Sequence, residues 1–415
     1  MSLAAFFRDL AARLQSAEFL QSARHPDHPT AFTRQRKLPL PSLVALLLTG
    51  MRKSAQAELD EFFAHLRQQA QLERHVSEQA FAQARAKLSL AAIPQLNDWA
   101  IERAEHYGFI PRWQGLRLVA ADASKLHFGL RASQVRHPAQ PDQIVFGLFL
   151  PGAELMLSAR LYGIQDGGER QMLFEHLDQI SSTDLLLLDR GYPGCWLVAA
   201  LNQRNLPFCM RVDNSGFTCV RNFLRSNQTE QIVILRPPSH RDARDYECRR
   251  ESQTVRLVRH VSSNGNVRIL MTNLLDPVRF PASCFGDLYH RRWRIEEAYK
   301  RLKHRLNLEH VSGLSQQAVV QDVSAKILAD NLQALAARSA HKARELPATE
   351  GINHAYAFSV LKPLLPGLLL GKKVAKLLRN ALQLIARHSY PHRMDRSKKR
   401  NTGQKPHKPM TQKPC

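Results

Sequence analysis

Long apolar runs, paired cysteines and a signal-like N-terminus are all missing from this sequence of 415 residues. The most apolar stretches, residues 43–48 and 364–370, are far shorter than the roughly 20 apolar residues that cross a bilayer. The first seven residues show no basic segment followed by a long apolar one, so we expect no secretory signal. The six cysteines are scattered and form no CxxC pair, which argues against a zinc module and fits a reducing cytosol.

Acidic residues are also scarce relative to basic ones. Lys and Arg number 59 against 36 Asp and Glu, for a net charge of +23. Residues 286–415 hold 25 of the cations and only 9 of the acids. Such an excess favours a polyanionic partner, usually nucleic acid, although a solubilising basic tail is the alternative. Charge gives affinity without specificity, so any chemistry has to come from particular residues.

The hydrophobic pattern predicts an α/β protein with helical flanks. Hydrophobic residues make up 44% of the chain, which is enough for a sizeable core. Residues 1–110 show helical spacing and contain a basic stretch at 33–38, which indicates either a DNA-contacting region or an ordinary bundle with a basic loop. Residues 111–310 form the predicted core, and residues 311–391 a further helical region. Residues 392–415 carry 8 cations, one acid and no periodicity, so we expect disorder.

Within the core, the predicted order is three strands, a helix, a strand, a helix and a strand. The pattern indicates a mixed sheet. Asp122 and Asp189 each follow an apolar, strand-like run, and ligands of open α/β sheets gather at the carboxyl ends of strands. Residues 213–275 interrupt the order as a β-rich insertion with a hairpin turn at Asn264-Gly265. Residues 285–308 are predicted to be one long helix.

That helix presents a phenol, a guanidinium, a carboxylate and an ammonium. Seven-residue steps place Tyr289, Glu296 and Lys303 on one stripe, with Arg292 beside it. By itself the stripe equally fits a solvated charged helix. Together with Asp122 and Asp189, Glu296 would complete a cluster of three carboxylates.

Three carboxylates are suitable ligands for Mg²⁺, which is usually held by a few carboxylates and substrate phosphates. Two such ions can hold the attacking and leaving oxygens of a phosphoryl displacement. Arg292 and Lys303 would then bind phosphates, the arginine as a bidentate fork and the lysine as a point charge.

These residues resemble the signature of a known family. Tyr289, Arg292, Glu296 and Lys303 match the Tyr-x2-Arg-x3-Glu-x6-Lys motif of the insertion-sequence-four group of DDE-type bacterial transposases. The segment from Asp184 to Tyr192 is similar to the second-aspartate motif of that family, and the run before Asp122 is similar to the first. The likeness covers roughly residues 30–335.

The resemblance implies a ribonuclease H-like catalytic core with a β-rich insertion, a helical N-terminal DNA-binding region and a helical, basic C-terminal region. It implies Asp122, Asp189 and Glu296 as catalytic and metal-binding residues, and Tyr289, Arg292 and Lys303 as contacts to DNA phosphates. Two Mg²⁺ ions per active site are expected, with Mn²⁺ able to substitute.

The implied reaction is cleavage at the ends of an insertion sequence and transfer of the freed 3′ ends into target DNA, by a homodimer on paired ends. We expect a bacterial, cytoplasmic and nucleoid-associated protein with no membrane contact. A domesticated or inactive DNA-binding relative and a ribonuclease H-like endonuclease without strand transfer are the alternatives. A DNA-binding module has no need of three carboxylates facing DNA, which argues against the first alternative. Because cleavage and joining use the same metals, the sequence does not separate a transposase from the endonuclease.

Overall fold

A computed structural model describes residues 2–391 except 35, 130–136, 215, 263–264, 348 and 372. The predicted disordered tail and part of the predicted turn at Asn264-Gly265 lie outside the described residues. The α-helices are α1 Leu3–Gln15, α2 Ala17–Ser22, α3 Leu40–Leu48, α4 Ala55–Arg67, α5 Glu78–Arg85, α6 Ala92–His106, α7 Glu169–Glu175, α8 Cys195–Gln203, α9 Thr218–Arg225, α10 His240–Asp245, α11 Phe285–His290, α12 Arg294–Arg305, α13 Gln316–Ala343, α14 His354–Leu361, α15 Leu365–Leu369 and α16 Val374–Ala386. The strands are β1 Arg112–Trp113, β2 Leu116–His127, β3 Asp142–Leu150, β4 Leu155–Gly163, β5 Asp184–Leu188, β6 Phe208–Val212, β7 Glu230–Leu235, β8 Gln253–Val261, β9 Val267–Thr272, β10 Glu350–Ile352 and β11 Ser389–Pro391.

The chain forms two compact units. The helical unit contains Met1–Phe109, Leu126–Gln143 and Arg301–Cys415, and the sheet unit contains Ile110–Lys125 and Ile144–Lys300. Both the N-terminal helices and the helices after α12 therefore belong to the helical unit. The functional division into residues 1–110, 111–310 and 311–391 stays a prediction.

Serine caps and a buried ion pair stabilise the helical unit. The hydroxyl oxygen of Ser77 accepts a hydrogen bond from the Ala80 amide at 3.2 Å and caps the N-terminus of α5. At the other end of α5, the buried Arg85 guanidinium lies 2.9 Å from an Asp322 carboxylate oxygen on α13. Because both charges are buried, the pair fixes α5 against α13.

Among the described residues, no helix is both long and apolar enough to cross a bilayer.

The sheet unit contains one mixed sheet with the strand order β4-β3-β2-β5-β6-β9-β8-β7, and β1 pairs with β2. Strands β2, β5 and β6 are parallel, whereas β6, β9, β8 and β7 pair antiparallel. The predicted succession of three strands, helix, strand, helix and strand is confirmed as β2, β3, β4, α7, β5, α8 and β6.

The predicted insertion extends this sheet instead of interrupting it. Its three predicted strands are confirmed as β7, β8 and β9, and β9 pairs with β6 with Met271 opposite Met210. Both methionines are fully buried, so the inserted strands share the core of the sheet unit. The segment also contains two helices, α9 and α10, and is thus less β-rich than the sequence suggested.

A buried ion pair fixes the parallel strands that carry the two aspartates. Arg117 on β2 forms a fork with Asp184 at the start of β5, with contacts of 2.6 and 2.9 Å. The amide of Ser181 donates a further hydrogen bond to the same carboxylate at 2.8 Å. Because Asp184 is fully buried, its charge has to be compensated in this way, and the pairing sets the register of β5 on β2.

The predicted single helix at 285–308 is divided into three segments. Helix α11 ends at His290, a 3₁₀ turn covers Arg291–Trp293, and α12 begins at Arg294. A 3₁₀ turn winds more tightly than an α-helix, with about three residues per turn. The uniform helical stripe assumed for Tyr289, Glu296 and Lys303 is therefore only an approximation.

Candidate active site

The two predicted aspartates are close enough for the charge of Asp189 to act on Asp122, although the predicted position of Asp122 along its strand was wrong. Asp189 directly follows β5, as the sequence predicted. Asp122 lies inside β2 and not at its end, because β2 continues to His127. However, β2 pairs with β5 only as far as Ala120, which lies opposite Leu187. If this register is continued by two residues beyond the last pair, Asp122 falls opposite Asp189, at the point where β2 and β5 separate.

A single arginine connects two of the three predicted carboxylates. The Arg292 guanidinium donates a hydrogen bond to Glu296 Oε1 at 2.9 Å, and its other terminal nitrogen lies 3.9 Å from Asp122 Oδ2. Only 6% of the Arg292 side chain is exposed, against 18% for Asp122 and 21% for Glu296. The structure thus brings Asp122 and Glu296, which are far apart in sequence, to the same buried cation.

The surroundings of Asp122 disfavour its ionised form. Burial raises the pKa of Asp122 to about 7, assisted by the negative charges of Glu169 and Asp189 and opposed by Arg292 and by the Ala123 amide. That amide donates to Asp122 Oδ1 at 2.9 Å. Burial works against a charged Arg292, but Tyr289, Glu296 and Asp122 together raise the pKa of this arginine, so it stays cationic. A carboxyl that titrates near neutrality beside a fixed cation is typical of functional sites.

A tyrosine that the sequence did not single out connects the helix of Glu296 to the sheet. The buried Tyr299 hydroxyl on α12 donates to the main-chain oxygens of Asp122 at 3.0 Å and Val145 at 3.4 Å. Gly147 on β3 leaves room for this ring, since a Cβ atom there would stand 2.7 Å from the Tyr299 oxygen. In the sequence, the signals for this contact are a glycine within an apolar strand and a tyrosine three residues after Glu296.

The other predicted phosphate-binding residues are found in different settings. Tyr289 is only 4% exposed, and burial raises the pKa of its phenol to about 12. Lys303 lies on α12 about two turns beyond Glu296 and belongs to the helical unit. Glu297 points away from Arg292 and pairs with Arg294 at 3.3 Å. The roles of Tyr289, Arg292 and Lys303 in holding DNA stay predictions.

A fourth carboxylate beside the two aspartates was missed. Glu169 opens α7, and its charge acts on Asp122, Asp189 and Tyr192. Partial burial of its carboxyl, followed by the charge of Asp189, raises the pKa of Glu169. Little in the sequence marks Glu169, which directly follows an Asp-Gly-Gly segment typical of a turn.

The donor chemistry of the site fits a divalent cation. Asp122, Asp189 and Glu296 offer only carboxylate oxygens, which hard cations prefer. Beside Asp189, a methyl group built on Gly191 would stand 3.0 Å from Asp189 Oδ1 and 3.9 Å from Glu169 Oε2, so carboxylates surround this point. In the described part of the chain, no three acidic, histidine or cysteine side chains already converge on a metal position. Arg292 provides the cation between Asp122 and Glu296 in this arrangement.

A matched family model and a relative agree with the motif. The model of a family described as "Transposase DDE domain" matches residues 148–332, which include Asp189 and Glu296. The transposase InsG for insertion sequence element IS4 of Escherichia coli (strain K12) is 24% identical over 316 residues, covering 73% of this chain and 71% of the relative. A cryo-EM structure of the piggyBac transposase synaptic complex with hairpin DNA aligns with a TM-score of 0.42 and 11% identity, over 92% of this chain and 84% of that one.

An acidic site on a mixed sheet, the four-residue motif and the matched domain define a DNA-cleaving and DNA-joining enzyme of the DDE class. Residues 148–332 match the transposase DDE domain, and the chain is similar to a transposase of the insertion sequence element IS4. It is thus a DNA transposase, which binds DNA and acts on phosphodiester bonds. Transposases of this class generally use divalent metal ions.

Proposed function

We propose that this transposase cleaves the ends of a bacterial insertion sequence and transfers the freed 3′ ends into target DNA, with Asp122, Asp189 and Glu296 as its catalytic carboxylates. The observation that carries the proposal is the bridge from Arg292 to Asp122 and Glu296. This bridge joins the strand and the helix that bear the two acids, and the charge of Asp189 acts on Asp122. We further propose that the sheet unit is a ribonuclease H-like core.

The three carboxylates are the residues that would hold Mg²⁺ ions, with Mn²⁺ as a substitute. When bound, such ions activate the attacking oxygen and stabilise the departing one. The chain's own residues hold the reacting groups in place. Tyr299 fixes α12 on the main chain of Asp122, so that Glu296 and Asp122 keep a constant separation. Arg292 is a buried guanidinium whose planar fork suits a phosphate, and it also limits the repulsion between the acids.

The remaining parts of the proposal concern the assembly and the location. We propose a homodimer that pairs two element ends, because cutting and joining both ends requires two active sites. We also propose a nucleoid-associated, cytoplasmic protein, since a net charge of +23 favours contact with DNA. The exposed cations Arg34, Arg36 and Lys37 of the N-terminal region are candidates for that contact.

The test uses DNA that carries the terminal inverted repeats from either side of the gene. Asp122→Ala, Asp189→Ala and Glu296→Ala should each abolish Mg²⁺-dependent end cleavage and still bind the ends in a gel-shift assay. Glu297→Gln is the matched control, because Glu297 pairs with Arg294 outside the bridge. Full cleavage by Glu296→Ala would falsify the assignment. Wild-type cleavage without joining to a target plasmid would instead indicate an endonuclease.

A further inference from the structure

We propose that Glu169 is a fourth carboxylate of the active site and that Glu169, Asp189 and the Tyr192 hydroxyl hold a divalent cation, directly or through its water ligands. The inference rests on the proposed function, because it assigns a further metal-binding residue to the same site. It concerns a residue that lies outside the Asp-Asp-Glu set and 20 positions before Asp189 in the sequence.

The first argument is the position of Glu169 relative to the turn after β5. A Cβ atom on Gly191 would approach both Asp189 Oδ1 and Glu169 Oε2, at 3.0 and 3.9 Å. The two carboxylates therefore flank the same glycine. The neighbouring Arg170 donates from Nε to the Gly191 main-chain oxygen at 2.8 Å, which ties α7 to this turn. The Gly191 amide donates to Asp189 Oδ1 at 2.7 Å and orients that carboxylate.

The second argument is an unpartnered hydroxyl. Tyr192 is fully buried, and its oxygen has no hydrogen-bond partner among the described residues. The charges that act on this hydroxyl are the carboxylates of Glu169, Asp122 and Asp189, in that order of strength. Leaving a buried hydroxyl without a hydrogen-bond partner is unfavourable, so its presence at this place indicates a partner that binds there. A metal-bound water molecule or a carboxylate reoriented by a cation would be that partner.

The third argument is the balance of charge. Glu169 acts on Asp122 more strongly than Asp189 does, and it also acts on the buried Tyr299. The buried guanidinium of Arg292 is already shared between Asp122 and Glu296. Asp122, Glu169 and Glu296 interact with this guanidinium, and the charge of Asp189 acts on Asp122 and Glu169, so negative charge is in excess and a divalent cation would neutralise it. Glu169 as a whole residue is exposed although its carboxyl is partly buried, so the cation and its water can reach it from solvent.

The test measures Mn²⁺ binding to the full-length protein without DNA by electron paramagnetic resonance. Glu169→Gln should raise the Mn²⁺ dissociation constant of one site by about 10-fold or more, in the range reported for outer metal partners. Asp178→Asn is the matched control, since Asp178 is an exposed acid just beyond α7 and its loss changes the net charge equally. The control should bind Mn²⁺ like the wild type.

Two further measurements separate the possible failures. If Glu169→Gln binds Mn²⁺ like the wild type while Asp189→Asn binds it weakly, the role of Glu169 is wrong and the proposed function stands. If Asp189→Asn also binds Mn²⁺ normally, both proposals are overturned. Tyr192→Phe removes only the hydroxyl and should weaken Mn²⁺ binding about 3-fold or more, as expected for a supporting group. An unchanged Mn²⁺ affinity in this variant would remove Tyr192 from the site.

Discussion

The hydroxyl of Tyr299 donates a hydrogen bond to the main-chain oxygen of Asp122, across 177 positions of sequence. This contact joins the helix that carries Glu296 to the strand that carries the first aspartate. The same hydroxyl also reaches the Val145 oxygen on β3. The separation of two predicted catalytic acids therefore depends on a residue that has no acid–base role of its own.

Tyr299→Phe should loosen this connection without creating a cavity. Because the buried oxygens of Asp122 and Val145 lose a donor, we expect the free energy of unfolding to fall by about 1–3 kcal/mol. Cleavage should fall together with it, because Glu296 is no longer fixed relative to Asp122. Thermal unfolding and the cleavage rate are the measurements. Tyr246→Phe is the control, since that ring is stacked on Trp196 and its hydroxyl has no hydrogen bond among the described residues.

Gly147→Ala should disturb the same contact from the side of the sheet. The added Cβ atom would lie 2.7 Å from the Tyr299 oxygen and 2.8 Å from Met156 Sδ, so the core has to shift. We expect a loss of about 1–3 kcal/mol, which is typical of overpacking. Gly168→Ala is the control, because its Cβ would meet nothing within 4 Å. If Gly147→Ala and Tyr299→Phe have strictly additive effects on stability, the proposed coupling between them is absent.

The stability of the metal-free protein should depend on Asp122 between pH 4 and pH 7. The pKa of Asp122 is raised from 3.8 to about 7 in the folded chain, so the folded state keeps a proton that the unfolded state has lost. The contribution of Asp122 to the free energy of unfolding is fully present below pH 4 and is lost as the pH rises through 7. Asp122→Asn resembles the protonated form. The free energy of unfolding of Asp122→Asn should therefore exceed that of the wild type by more at pH 8 than at pH 5, with an increase of about 2 kcal/mol between the two pH values.

Urea titrations in EDTA at the two pH values measure this difference. Asp178→Asn, at an exposed position, should show no such gain. A gain for Asp122→Asn that is equal at pH 5 and pH 8 would contradict the raised pKa of Asp122.

Arg292→Met should make the protein more dependent on added metal. The substitution removes the cation between Asp122 and Glu296 and keeps most of the side-chain volume, so the two acids repel each other. In EDTA the thermal midpoint should fall below that of the wild type, and Mg²⁺ should raise it by more than it raises the wild-type midpoint. Arg294→Met removes a cation that pairs with Glu154 and Glu297 and is the matched control. Equal Mg²⁺ shifts in the two variants would show that Arg292 does not occupy the place of a metal.

The local pattern of residues was sufficient to predict much of the secondary structure of the sheet unit. The all-apolar run of β5 and the acid that follows it were predictable, because a continuous apolar segment of this length forms a buried strand. The position of Asp122 within β2 was not predictable. The residues after it, Ala123 to Lys125, are half-buried or exposed and carry no apolar alternation that would extend the strand.

Glu169 illustrates the limit of reasoning from spacing. The helix that it opens was predicted as the first helix of the core, but the sequence does not state which neighbour a solvent-accessible glutamate faces. That neighbour is determined by the parallel pairing of β2 with β5 and by the contact of Arg170 with Gly191. Tyr192 was likewise visible as part of a motif, whereas its unpartnered hydroxyl appears only in the folded chain.

The sequence by itself determined the resemblance to the DDE-type transposases, the order of the strands and helices in the core, and the four-residue motif from Tyr289 to Lys303, because each follows from residue type and local spacing. The tertiary structure decided that Arg292 lies between Asp122 and Glu296, that Tyr299 sets their separation, and that Glu169 stands beside Asp189. These contacts join residues that are close only after the strands have paired. Their electrostatic effects depend on burial, which the order of residues along the chain does not specify.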